Sequence, residues 1–192
     1  MKKFISKQSL VAAAVLVTAV ASQSVYADDF SGAFAGVKAG DNRAQTSGDH
    51  ASSHEYAGTA GIEAGYNWNV YGQIVGVSTS YDYNDPVNHT VRNGTTIKLG
   101  SNVYSADLIL GTPIDQWLVY AKLGDAYVSG TDDARTFDRS TFHGGLGISY
   151  AIIPHLSAGA EWTDSRASKN GTKLDNDNFV ITVNYRFSGL GS

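Results

Sequence analysis

The sequence has no cysteine among its 192 residues, only three prolines, and fourteen Lys and Arg against eighteen Asp and Glu. Without cysteine there is no disulfide framework and no thiolate metal site. The formal charge of −4 argues against a nucleic-acid binder, which would carry a basic patch. No stretch is long and apolar enough to cross a bilayer as a helix; the run from Leu10 to Ala21 falls short. Helix-forming runs are absent from the remainder. His50, His54 and His89 in loop-like segments and His155 in a turn lack metal-ligand spacing, so no metal or cofactor is expected.

What is present begins with an export signature. Lys2, Lys3 and Lys7 precede the apolar run, and Val25, Tyr26 and Ala27 form a small-residue site. This pattern predicts a signal peptide over residues 1–27, cleaved between Ala27 and Asp28. The expected mature domain, 28–192, loses those three lysines, and its formal charge falls from −4 to −7.

That domain is rich in glycine and tyrosine and reads as a series of alternating strands. The clearest is the last, Phe179 to Phe187. Phe179, Ile181, Val183, Tyr185 and Phe187 share one face, and Val180, Thr182, Asn184 and Arg186 the other. Seven earlier stretches, starting at Phe30, Glu55, Tyr71, Thr96, Trp117, Arg139 and Leu156, alternate in the same way. Eight is an even number, as single-chain bacterial barrels require. Long polar connections at 41–54, 84–95, 129–138 and 165–177 alternate with short ones at 68–70, 111–116 and 152–155. Pro113 and Pro154 mark two of the short turns. This rhythm predicts an all-β, eight-stranded, antiparallel up-and-down transmembrane β-barrel, with its long loops outside the cell.

Three stretches carry a resemblance to a known family: GAFAGVKAG in the first strand, YAIIPHLSAGAEW across the last turn, and VNYRF at the end. LGTPIDQWLVYAKLG adds the middle turn and fifth strand. The chain resembles the eight-stranded outer-membrane β-barrel family typified by the transmembrane domain of OmpA. The resemblance implies residence in the outer membrane among lipid and lipopolysaccharide, with assembly machinery reading a terminal aromatic signal at Tyr185, Arg186 and Phe187. OmpA continues into a peptidoglycan-binding domain, whereas this sequence ends at Ser192, so wall anchoring is not implied.

Lys38, Glu63, Asp107, Lys122, His143 and Glu161 all fall on the polar, inward face. An eight-stranded barrel is just wide enough for side chains to fill, and inward glycines leave volume for long charged groups. A charge there must find a partner or water. By the resemblance, these residues form an internal salt-bridge network. Strand counts place Lys122 level with Asp107 and Glu161, which makes it the expected shared cation. His143 could also face Ser149 and Glu161 as a base with an orienting acid, but no Ser, His and acid set falls on the lipid face, and an enzyme is not expected. Asp125 fits worst. Alternation puts it on the lipid face, either at the upper rim or turned inward by a bulge near Gly124.

The expected role is structural and surface-presenting: a monomeric barrel displaying four polar loops, for which the resemblance implies adhesion, serum resistance or contact with a host surface ligand. The alternative is a narrow pore or gated channel. A third reading, a soluble periplasmic barrel with an apolar ligand inside, would turn Lys38, Lys122 and Glu161 to water.

Overall fold

In the computed structural model, the described residues are 27–47, 53–90, 96–132, 135–169 and 172–187. The expected signal segment therefore lies outside the described residues, apart from Ala27. A 3-10 turn, Ala27–Phe30, leads into eight strands. These are β1 Gly32–Ser47, β2 Ser53–Val70, β3 Gln73–Thr90 and β4 Thr96–Ile114. They continue with β5 Trp117–Asp132, β6 Arg135–Ile153, β7 Leu156–Lys169 and β8 Thr172–Phe187. Each strand pairs antiparallel with its sequence neighbour, and β8 pairs with β1 to close the barrel. Closure leaves no ladder edge to face lipid, where an unpaired backbone group would be costly.

Period-two alternation sorts the side chains. Inward positions are buried and mostly polar; outward positions are exposed and mostly apolar. Val37, Ile62, Val77, Leu108, Leu146 and Ile181 form the middle of the outer face. Aromatic girdles flank this band, as expected where rings meet headgroups. The periplasmic girdle includes the tilted pairs Tyr66–Trp68 and Trp117–Tyr150 and the edge-to-face pair Tyr185–Phe187, with centroids 4.9, 4.7 and 5.3 Å apart. On the other side Tyr81 and Tyr104 lie 5.0 Å apart, with Tyr83, Tyr127, Trp162 and Phe179 also outward.

Two expectations need correction. The long outer loops are largely strand. The ladders run on to Ser47, Thr90, Asp132 and Lys169, so only residues 48–52, 91–95, 133–134 and 170–171 lie between strands there. His54 and His89 consequently belong to β2 and β3. Asn, Ser, Thr and Asp resemble loop composition, but above the lipid they can face water on a ladder that still satisfies the backbone. Strands of 14 to 19 residues exceed the 9–11 or so that span a bilayer. The second correction is Pro113, which lies within β4 opposite Leu118 rather than in the turn. The turn there is Asp115–Gln116, with Asp115 at a φ of 52°. Pro154 does sit in a turn, followed by His155 at a φ of 76°.

Candidate functional site: the filled lumen

Charged groups from seven strands, β1 to β7, meet in the lumen in two layers. In the first, Lys122 of β5 crosses to Glu63 of β2 and Glu161 of β7. Its Nζ lies 2.8 Å from Glu63 Oε2 and 2.6 Å from Glu161 Oε2. Asn184 donates to Glu63 Oε1 at 2.9 Å, and the Tyr120 hydroxyl donates to Glu161 Oε2 at 3.0 Å. Lys122 is 4 % exposed and Glu161 1 %. Burying such charges is tolerable only because each is paired and hydrogen-bonded.

The second layer is a chain of side chains spanning β1, β3, β4 and β6. Lys38 Nζ meets Asp82 Oδ2 at 2.8 Å. The Ser80 hydroxyl donates to the same oxygen at 3.2 Å, and Ser80 and Ser105 hydroxyls lie 2.9 Å apart. Ser105 in turn donates to Asp107 Oδ2 at 2.7 Å, and Asp107 Oδ1 lies 2.7 Å from His143 Nδ1. Above these layers no charged side chain is buried among the described residues, and Asn42 donates to Asn178 across the β1–β8 seam.

The structure therefore gathers all six expected network residues inside the barrel, but pairs them differently from the strand count. Asp107 makes no direct ion pair with Lys122; its direct contacts are His143 and Ser105. Glu63 takes its place. Neighbouring strands are staggered, and Lys122 reaches across the lumen rather than along one level. His143 takes its carboxylate from Asp107 rather than Glu161. The serine in that chain bonds the carboxylate, not the imidazole, so it is not arranged as an activated nucleophile. Alternation also puts Asp82, Tyr120 and Asn184 on the polar face, but alternation alone does not recruit them into the network. The missed signal was a glycine on the neighbouring strand: Asp82 lies over Gly61, Tyr120 over Gly147 and Asn184 over Gly36.

Asp125 is exposed on the outer face. The ladders on both sides of it are continuous, with Ala106 and Phe142 as its partners, so no bulge turns it inward. It lies one outward position below Tyr127, at the upper aromatic girdle. On β8, Tyr185 and Phe187 point outward, while Arg186 points inward and is 5 % exposed. Asp28, the residue after the expected cleavage site, is exposed within the 3-10 turn.

A closed barrel with an apolar outer band, two aromatic girdles and a charged, side-chain-filled lumen is a transmembrane β-barrel of the outer-membrane type. The family model for the outer membrane protein beta-barrel domain matches residues 10–187, and the chain belongs to that family. It resides in the bacterial outer membrane, where its outer face meets lipid and lipopolysaccharide. No curated protein matches the sequence. Among solved structures, OprG from Pseudomonas aeruginosa superposes with a TM-score of 0.54 at 15 % identity, covering 83 % of this chain and 98 % of OprG. Neisserial surface protein A gives 0.53 at 21 % identity, covering 81 % of this chain and 99 % of that one. Ail, the attachment invasion locus protein of Yersinia pestis, in complex with the heparin analogue sucrose octasulfate, gives 0.53 at 15 % identity, with coverage of 81 % and 99 %.

Proposed function

We propose that this protein is a closed, surface-presenting barrel, exported with cleavage between Ala27 and Asp28 and acting as a monomer without catalytic activity. The observation that carries this reading is the Lys122 bridge to Glu63 and Glu161, which ties β5, β2 and β7 together across the lumen. Lys38, Asp82, Asp107 and His143 add a second crossing layer. The internal network is thus read as structural filling. Tyr185, Arg186 and Phe187 at the end of β8 are read as the signal for the assembly machinery, with the two outward rings as its exposed part.

The strand extensions above the membrane and the tips between them are the surface offered for adhesion or host contact. Ail was crystallised with a heparin analogue. Segments 41–54, 84–95, 129–138 and 165–177 of this chain hold six Lys and Arg against eight Asp, so the reading does not extend to a polyanion as the ligand. A narrow or gated pore is the second reading. It is favoured by a cavity of about 30 Å³ lined by Glu63, Lys122, Ser149 and Arg186, which is room for about two water molecules. Planar-bilayer recording separates the two. The closed barrel conducts little as the parent and more as Lys122→Ala. Steady conductance by the parent reverses the order.

A further inference from the structure

The periplasmic end of the lumen is built differently from the rest. Phe30 precedes β1 and belongs to no strand, yet it is 0 % exposed. Its ring joins an apolar cluster with Phe34, Ile74, Ile109, Leu118 and Tyr120, drawn from β1, β3, β4 and β5. Elsewhere the lumen is lined chiefly by polar side chains, so this is an apolar layer set across one mouth.

The short segment is tied in from several sides. Asn67 Nδ2 donates to the Phe30 carbonyl at 3.0 Å, and Asn69 Nδ2 donates to Asp28 Oδ1 at 3.0 Å. The Ser31 amide and hydroxyl donate to the Asp28 carbonyl at 3.2 and 3.0 Å, closing the turn. The Arg186 guanidinium lies 4.9 Å from the centroid of the Phe30 ring, and its Nη1 donates to Ser157 Oγ at 3.2 Å. A cation over a ring gains most where both are desolvated, and here both are buried.

The geometry points to residues 28–31 as a periplasmic stopper, in which Phe30, held by Arg186, closes the lumen to periplasmic water. Arg186 is then a positioning residue for the stopper. This separates it from Tyr185 and Phe187, whose rings face lipid on the same strand. A cavity abuts the apolar layer, and Asn67, Ser149, Asn184 and Arg186 are on its polar side. Among the described residues, one polar atom of each of these four side chains has no protein partner. These unpartnered atoms offer hydrogen bonds to water that enters if the mouth opens.

The absence of cysteine supplies the test. Ser149→Cys puts a unique thiol at the cavity, where the Ser149 hydroxyl has no hydrogen-bond partner to lose. The full barrel in lipid nanodiscs is exposed to a small charged methanethiosulfonate, and the labelling rate is measured on samples that retain heat-dependent gel migration. Adding Phe30→Ala is expected to raise the rate at least tenfold, and Arg186→Met to raise it by less. Phe30→Leu keeps apolar bulk but offers no ring face, so Arg186→Met should add little in that background. If Phe30→Ala fails to assemble, Phe30→Leu and Arg186→Met are compared with the parent instead. Equal labelling with and without the Phe30 or Arg186 changes overturns the stopper. Steady parent conductance in bilayers would instead overturn the closed-lumen reading, so the two failures are distinguishable.

Discussion

Lys122→Met removes one ammonium and leaves two carboxylates in a confined space. The parent distances, 2.8 Å to Glu63 and 2.6 Å to Glu161, make both direct contacts. Removing one partner of a buried pair typically costs about 3–5 kcal/mol, because the remaining charge is left uncompensated. Two features of this site hold the loss near the lower end of that range. Glu63 keeps its hydrogen bond from Asn184, and Glu161 keeps its bond from Tyr120. One of the two carboxyls can also take up a proton rather than remain charged. The expected loss is thus about 3 kcal/mol, read as a lower urea midpoint for the barrel refolded in lipid.

The pairing pattern sharpens the test. Adding Glu161→Gln to Lys122→Met should return about 1–2 kcal/mol, since residues sharing one network couple. Adding Asp107→Leu should return less, because Asp107 makes its direct contacts with His143 and Ser105 instead. An unchanged midpoint in Lys122→Met would refute the network as a source of stability. Rescue by Asp107→Leu equal to that by Glu161→Gln would refute the pairing.

Phe187→Ala and Tyr185→Asp should each lower the amount of barrel assembled in cells far more than Thr182→Ser does, measured by heat-dependent gel migration; equal amounts for all three would remove the assembly role. Asp125→Asn should change the unfolding free energy from urea titration by no more than about 1 kcal/mol, because charge on the lipid face costs little near the interface. A stabilisation of several kcal/mol would place Asp125 deep in the apolar band instead.

Which residues face inward was legible because alternation needs no knowledge of the partner strand. Glu63, Lys122 and Glu161 were separated from Ile62, Leu123 and Trp162 by period alone. Which inward residues meet was not legible. Contact depends on stagger and on reach across the lumen, and neither is written along one strand. Lys122 thus meets Glu63 of β2, while Asp107 of the adjacent β4 meets His143. The strand ends were misread for a different reason. Polar composition marks where the chain leaves lipid, not where it leaves the ladder, and β1 continues through Asp41, Asn42 and Arg43. Alternation alone makes Phe30 the start of the first strand; only the fold shows its ring in the apolar layer at the mouth.

Glycine explains how so small a lumen holds these groups, and Gly147 gives a clean test. A Cβ built on Gly147 would lie 2.2 Å from Tyr120 Cζ and 2.5 Å from its hydroxyl oxygen. All three nearest atoms belong to the Tyr120 side chain, so an added methyl collides with that ring and not with backbone. Tyr120 cannot yield freely, because its hydroxyl is bonded to Glu161, which in turn holds Lys122. Gly147→Ala should therefore cost about 1–3 kcal/mol, the usual range for overpacking. If the cause is the ring, Tyr120→Leu removes the obstacle along with the hydroxyl. The double variant should then be less destabilised than the sum of the singles by about 1 kcal/mol or more. Simple additivity of the two changes in urea unfolding would mean that Gly147 is needed for its backbone, and that the Tyr120 ring does not depend on the space it leaves.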